Sequence, residues 1–434
     1  MFQVGPIRLD LLVGLTQWPI VTKWFRMLLS RLRQLIGYPR SPSRRTSCSR
    51  VVIELSRFDK GGLERVVLDS ALAFRADGVE AVIVSVAGEG LLATEARAAG
   101  LEVVTLPQHG AEAAYDALLR RFSPDVAISH FSDAGYRLFA RHGIPNITVI
   151  HNVYAFLDEP CRTQLRGNDR YVARYVAVSE KAARYAIGAI GLPASKMTVI
   201  PNGLDIAAHN ARAAGPQVLS RAELGLEPSD YVFLHPASYN LHKGHYVIAA
   251  ALRLILQQRS DIKVLCVGNE VHAPHLAALR AHLRAEGLEH HMLLPGYFPQ
   301  IEQPLRLADA CLLPSFIEGW SIAVNEAMFH AKPLILTDTG GAAEVIEGGD
   351  TGILLPSEYP ELLALDSAML DRLAYTPQPY RLAEPLASAM MDFANHPAQW
   401  ARAGVLGRAK LLARHDFTMV VQAYLAEMRA LATA

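Results

Sequence analysis

The sequence predicts an α/β protein made of two Rossmann-like, doubly wound parallel-sheet domains that face each other across a cleft. Three observations carry this expectation. The chain has 434 residues, well beyond the roughly 100 to 200 of a usual single domain. Short β-branched runs alternate with longer helical patterns, the signature of parallel strands joined by crossover helices. That alternation occurs twice, with a pause between the two series. At 51% hydrophobic and 19% charged residues, the chain is neither disordered nor fibrous.

The front end, residues 1–50, reads as a basic extension and linker. It holds nine basic side chains against Asp10, although the whole chain balances 42 Lys and Arg with 42 Asp and Glu. A balanced chain lacks the global positive charge that binds nucleic acid, so no nucleic-acid partner is expected. From Trp18 to Ile36 apolar residues recur near helical spacing, with Lys23, Arg26, Arg31 and Arg33 among them. Such a stretch suits a lipid interface, so peripheral contact with an anionic membrane through residues 8–36 is one expectation. A helix packed on the protein's own surface, or an extension upstream of the folded start, are the alternatives that stay open. The run 11–21 is too short to span a bilayer and contains Pro19. No small-residue cleavage site follows it.

In the first domain, residues 51–210, strands are expected at 51–55, 81–86, 125–129, 147–151 and 175–178, with helices at 62–76, 115–122 and 179–187. The pattern pauses from Pro201 to about Pro216, where a hinge is expected. In the second domain, residues 211–413, strands are expected at 231–235, 262–267, 291–294, 310–313 and 333–337. Its helices fall at 244–257, 275–286 and 321–331, with several more from residue 361 on. Cys48, Cys161, Cys266 and Cys311 are widely spaced, which fits thiols in a reducing, cytoplasmic compartment better than a disulfide frame or zinc site.

In open parallel sheets ligands bind beyond the carboxyl ends of strands, so the loops there are where chemistry belongs. Gly61 and Gly62 open the first helix, where unpaired N–H groups can meet a phosphate or sugar oxygen. Ser238 and Lys243-Gly244 follow the first strand of the second domain, and a lysine at a helix start suits a diphosphate. The segment Pro314-Ser-Phe-Ile-Glu318-Gly319-Trp320-Ser321 leads into a helix that carries Glu326. Ser321 is a natural N-cap there. Two carboxylates beside a phosphate site repel the ligand unless they bind hydroxyls, which points to a diphosphate set between two sugars. Thr339-Gly-Gly-Ala-Ala-Glu344 forms a further glycine turn, and His151-Asn152 ends a first-domain strand. Each feature alone also fits an ordinary turn, a solvated lysine or a structural histidine.

Together they resemble the family-4 retaining glycosyltransferases of the GT-B fold. The matching residues are Gly61-Gly62-Leu63-Glu64, Pro201-Asn202-Gly203-Leu204-Asp205, Lys243-Gly244, Pro314-Ser315 with Glu318 and Glu326, and Gly340-Gly341 with Glu344. The resemblance runs from about residue 51 to the end. It departs at Ser238, where the family usually carries an arginine. It implies that Glu326 binds the nucleotide ribose, Glu318 a hydroxyl of the transferred sugar and Lys243 the diphosphate. Gly319, Trp320 and Ser321 would hold sugar and phosphate by backbone, and His151 would sit beside the anomeric carbon. Gly61-Gly62 would border donor phosphate or acceptor, and Gly296-Tyr297 would meet the nucleobase. In this family the last helix, here within 414–434, crosses back onto the first domain.

The implied activity is a retaining hexosyl transfer from a nucleotide-diphosphate sugar to an acceptor hydroxyl, by front-face displacement without a dedicated base. The acceptor is expected to be a saccharide or lipid-linked saccharide in cell-envelope or exopolysaccharide synthesis, with the protein cytoplasmic or peripheral on the inner membrane. No cofactor is expected. No DxD triplet occurs, so no metal is expected and activity should survive chelation. A nucleotide-sugar epimerase of the same fold and a catalytically silent partner in a membrane assembly are the competing expectations. A dehydrogenase is disfavoured because neither first-strand loop carries GxGxxG.

Overall fold

The computed structural model describes residues 48–374 and 377–433. The expected amphipathic stretch 8–36 and most of the linker lie outside the described residues. The first sheet is built from β1 (Arg50–Leu55), β2 (Glu80–Ser85), β3 (Glu102–Thr105), β4 (Val126–His130), β5 (Asn146–Ile150), β6 (Arg174–Ala177) and β7 (Met197–Val199). Its intervening helices are α1 (Gly62–Ala76), α2 (Leu91–Ala98), α3 (Ala111–Phe122), α4 (Tyr136–His142), α5 (Glu159–Asn168) and α6 (Glu180–Tyr185). All pairings are parallel, in the order β3-β2-β1-β4-β5-β6-β7.

After α7 (Ile206–Ala213) the pattern repeats. The strands are β8 (Tyr231–Pro236), β9 (Ile262–Val267), β10 (Met292–Gly296), β11 (Ala310–Leu313), β12 (Leu334–Thr337) and β13 (Gly352–Leu355). They are interleaved with α8 (His245–Ile255), α9 (Ala273–Ala285), α10 (Glu302–Leu307), α11 (Ile322–Phe329) and α12 (Ala342–Val345). This second parallel sheet has the order β10-β9-β8-β11-β12-β13. In each sheet the winding reverses beside the first strand, between β1 and β4 and between β8 and β11. Loops leaving these strands border a crevice that no crossover helix fills. The central strands are apolar on both faces, as helix layers on both sides require: Val51, Val52, Ile53 and Leu55 are all buried.

Four helices complete the chain: α13 (Ser367–Ala374), α14 (Ala383–Asn395), α15 (Pro397–Arg414) and α16 (Phe417–Ala432). The path breaks at His415, and Asp416 caps α16 by accepting the Thr418 N–H at 2.8 Å. Helix α16 then lies on the first domain, with Tyr424 edge-on to Phe74 at 6.4 Å and Glu427 bonded to Arg174 at 2.9 Å.

Several elements escaped the sequence reading. The supposed pause at 201–216 contains α7, started by Asp205, whose side chain accepts the Ala208 N–H at 2.9 Å. Of this helix only His209 is buried, so it shows no apolar period. Strands β3 and β7 are edge strands of four and three residues, too short to alternate. The helix expected at 179–187 ends earlier, at Tyr185, and relaxes into a π-helical turn over Ala186–Ile190.

Candidate active site

The loop after β8 turns back at Gly244, which has φ 73°. A Cβ there would lie 2.0 Å from the carbonyl oxygen of Pro314, so a glycine is required for the turn to close on the loop after β11. The Phe316 N–H donates to the His242 carbonyl at 2.9 Å, fastening the two loops along their backbones. This registration delivers Lys243 to Glu318: Lys243 Nζ donates to Glu318 Oε1 at 2.6 Å, and Ser315 Oγ donates to the same oxygen at 2.8 Å. Both charged side chains are largely enclosed, at 21% and 14% exposed, so their pairing is screened less than a surface pair. Two residues selected 75 positions apart therefore meet at the switch point of the second sheet.

The same loop reaches the first domain. Gly319 forms an antiparallel bridge with Asn152, and the Val153 N–H donates to the Glu318 carbonyl at 3.3 Å. His151 thus stands against the backbone of the Glu318 loop. Its Nε2 lies 2.7 Å from Nδ1 of His130, the last residue of β4. Burial pushes the His151 ring down to about 3, and pushes His130 far down as well, so the pair is neutral at ordinary pH. His130 was missed, although the rule that singled out His151, a histidine at a strand's carboxyl end, applies to it equally.

Trp320 is buried, and its side chain serves the framework. Its Nε1 donates to Asn325 Oδ1 at 3.1 Å, Asn325 Nδ2 donates to the Asn202 carbonyl at 3.0 Å, and Asn202 Nδ2 donates to the Trp320 carbonyl at 3.2 Å. The Pro201-Asn-Gly segment, expected as a hinge, is here a clasp on the Glu318 loop. Ser321 occupies the N-cap position of α11, but its hydroxyl makes no capping bond, which corrects the sequence expectation. The first N–H groups of α11 gain no side-chain acceptor from it. Glu318, Trp320 and Ser321 line one small cavity with Thr337, Thr339 and Gly341.

Glu326 keeps different company. Burial pushes its carboxyl up to about 8, with Glu302 adding to the rise and Arg212 and Arg65 opposing it. Gly61 and Gly62 begin α1 across from β10, and the neighbouring Lys60 Nζ stands 5.8 Å from the centroid of the half-exposed Tyr297 ring, which follows Gly296. The Ser238 hydroxyl makes no hydrogen bond among the described residues. Glu344 is drawn into a domain contact, accepting the Glu180 N–H at 3.1 Å. Beside it Lys181 Nζ donates to the Asp338 carbonyl at 2.7 Å. Among the described residues no three His, Cys, Asp or Glu side chains gather as a metal site would need, and no helix is long and apolar enough to cross a membrane.

Both halves of the chain match known protein families. A family model described as Glycosyltransferase Family 4 matches residues 60–208, and one described as Glycosyl transferases group 1 matches residues 230–370. Together they cover more than half of the chain. A D-inositol 3-phosphate glycosyltransferase from Jonesia denitrificans is 26% identical over 262 residues, covering 55% of this chain and 62% of the relative. One from Actinosynnema mirum is 27% identical over 345 residues, covering 68% and 80%. The chain spans about three fifths of the length of the first of these relatives. Among solved structures, Alr3699/HepE from Anabaena in complex with UDP superposes with a TM-score of 0.70 at 20% identity, covering 88% of this chain and 100% of the other. Sucrose-phosphate synthase from Thermosynechococcus elongatus gives 0.68 at 16%, covering 88% and 99%. With two winding-reversal crevices facing each other, a returning last helix and both family models matched in order, the chain belongs to the family-4 glycosyltransferases of the GT-B fold.

Proposed function

We propose that the protein is a retaining glycosyltransferase that moves a hexosyl group from a nucleotide-diphosphate sugar to an acceptor hydroxyl. The observation that carries this is the enclosed Lys243–Glu318 pair, held at the second domain's switch point against the backbone beside His151. A diphosphate draws Lys243 to itself, and Glu318 is freed to accept a hydroxyl of the transferred sugar. Glu326 takes the ribose hydroxyls, Gly296-Tyr297 the base, and the first N–H groups of α11 with the Gly319 to Ser321 backbone take phosphate and sugar oxygens. Gly61-Gly62 close over the donor from the first domain.

His151 is neutral at working pH, and its nitrogen is engaged by His130 rather than by a carboxylate. It is therefore suited to contact the sugar and poorly suited to be a general base. The departing phosphate oxygen takes the acceptor proton on the same face that the acceptor attacks, while Lys243 and the helix end stabilise its charge. No cofactor enters this scheme, and Lys243 supplies the cation at the phosphate. HepE was solved with UDP, which makes uridine sugars the first donors to try. The relatives' names make an inositol phosphate one acceptor candidate, and a saccharide, free or lipid-linked at the cytoplasmic face of the membrane, the other.

A screen of nucleotide sugars by thermal shift tests the donor half, since a ligand of the folded state alone raises its apparent stability. The cognate donor should stabilise the wild-type protein and fail to stabilise Glu318→Ala, and transfer should persist in EDTA. Stabilisation by no nucleotide sugar would reject the proposal. Residues 8–36 are proposed to rest on anionic lipid, so deleting residues 1–45 should abolish cosedimentation with anionic vesicles.

A further inference from the structure

We propose that the loop after β4 and the hollow behind it bind a neutral oligosaccharide acceptor, with Phe131 as the platform for the reacting sugar. This deepens the transfer reaction above and rests on it. Phe131 follows directly on β4, at the switch point of the first sheet. Its φ is 48°, in the left-handed region that a bulky residue rarely adopts, and it is 43% exposed. Its ring lies nearly parallel to that of His151, with centroids 5.8 Å apart and planes at 20°. Tyr154 and Phe156 extend the aromatic surface at 5.0 and 6.4 Å. Phe156 in turn stacks on His242 of the second domain at 6.4 Å. A fold gains little by holding a large ring in a strained backbone and half in water, and such strain collects where ligands bind.

Beneath the loop, the fully buried carboxyl of Glu54 faces the Ser132 hydroxyl and the Gly135 amide. A Cβ on Gly135 would lie 2.3 Å from the Phe139 ring and 2.5 Å from Glu54 Oε2, so a glycine here lets the loop pack closely over both. At its side, Asp133 accepts hydrogen bonds from Gln164 and Asn168, both at 2.7 Å.

Behind the loop is a hollow of about 550 Å³, with Tyr115, Tyr136 and Leu106 as buried lining and Asp133, Gln164 and Asn168 at its rim. Its charged lining residues are Glu112 and Asp133 against Arg137 and Arg141, so its charges balance and match an uncharged ligand. Ring faces take the C–H faces of pyranoses, while amide and carboxylate groups take hydroxyls. The two-residue step from Phe131 to Asp133 spans at most ~7 Å, so the hollow begins about one sugar beyond the platform.

The test uses the full chain on an array of neutral mono- to tetrasaccharides and D-inositol 3-phosphate. Neutral di- or trisaccharides should bind at least tenfold more tightly than the corresponding monosaccharides. Phe131→Ala should weaken that binding at least tenfold, as should Ala134→Trp, which fills the hollow; Phe131→Tyr should keep it. Asparagine tolerates the left-handed region, so Phe131→Asn should melt no lower than the wild type and still lose binding, which separates the platform from the fold. The thermal shift given by UDP should be the same in wild type and Phe131→Ala. Absence of neutral-glycan binding, binding that survives both Phe131→Ala and Ala134→Trp, or tighter binding of inositol 3-phosphate would overturn the proposal. Failure of every nucleotide to stabilise the wild type would instead remove the transferase reading and leave glycan binding to be judged by itself.

Discussion

Glu54 offers a prediction whose size follows from the structure. It stands in the central strand β1, fully buried, on the face that carries Val52 and meets Tyr115 and Tyr136. Burial pushes its carboxyl up from 4.5 to about 7, opposed by Ser132, Tyr115 and the Gly135 amide and reinforced by Asp133. Below pH ~4.5 both the folded and the unfolded chain hold this proton, and the group's contribution is fully present. As pH rises toward 7 the unfolded chain releases the proton while the folded chain retains it, so stability falls, and above 7 the loss is complete. At 1.36 kcal/mol per pH unit, the difference between 4.5 and about 7 is about 3 kcal/mol. Glu54→Gln keeps the shape and removes the titration. Urea unfolding of both proteins from pH 4.5 to 8 should show the variant gaining about 3 kcal/mol relative to the wild type across that range, with all other titrations cancelling in the difference. A difference that stays flat with pH would show that Glu54 is solvated or already ionised in the fold.

Other consequences are smaller in scope. Lys243→Ala should lower kcat/KM for the donor roughly 10- to 100-fold, the worth of a charge-assisted hydrogen bond, with the melting temperature changed little; an unchanged kcat/KM would remove Lys243 from the donor site. Gly244→Ala places a Cβ 2.0 Å from the Pro314 carbonyl at φ 73°, so it should cost more than about 1 kcal/mol in stability and lower donor affinity together, read by calorimetry and thermal shift. Asn325→Ala leaves the Trp320 N–H and the Asn202 carbonyl buried without partners, and should cost about 2 kcal/mol or more in a denaturant titration. His235 is buried, and burial holds it down near 4. The unfolded chain therefore binds its proton first, and stability should fall from pH 6.5 downward by about 3 kcal/mol for this ring alone. A scan in which His235→Gln leaves the acid limb unmoved would contradict this.

The parts of this molecule legible in the sequence are those set by neighbours along the chain. A run such as Val51-Val-Ile in a sheet buried on both faces, or the 15 residues of α1, declares itself by composition and period. The loops after β8 and β11 were legible because glycine, proline and a charged residue crowd them, and they supplied Lys243 and Glu318; His151 stood out only as a histidine at the carboxyl end of a strand, β5. What stayed hidden depends on register between strands far apart in the chain. His130 meets His151 because β4 and β5 lie side by side in parallel, His130 opposite Val149. Trp320 reads in the sequence as a ligand contact because its loop follows a strand end and opens a helix, yet its indole turns inward to Asn325, a partner five residues on that no single-sequence pattern marks. Glu54 did leave a trace, as a lone acid inside a β-branched run, but only the closed fold decides whether such an acid faces water or Tyr115.

The contacts between the domains are unevenly distributed, and this bears on how the cleft works. On the side of α6, Glu344 holds the Glu180 amide, Lys181 holds Asp338, and the Tyr185 hydroxyl donates to the Leu365 carbonyl at 2.6 Å. Below the cleft the backbone at Leu204 is paired in both directions with His415 and Phe417. At the mouth, by contrast, Lys60 reaches over Tyr297, an exposed pair of the kind worth no more than about 1 kcal/mol. The Glu318 loop, proposed above to meet the donor, is already bridged to Asn152 and clasped by Asn202. On the proposed assignment, a donor therefore meets a Glu318 loop that the fold has already ordered.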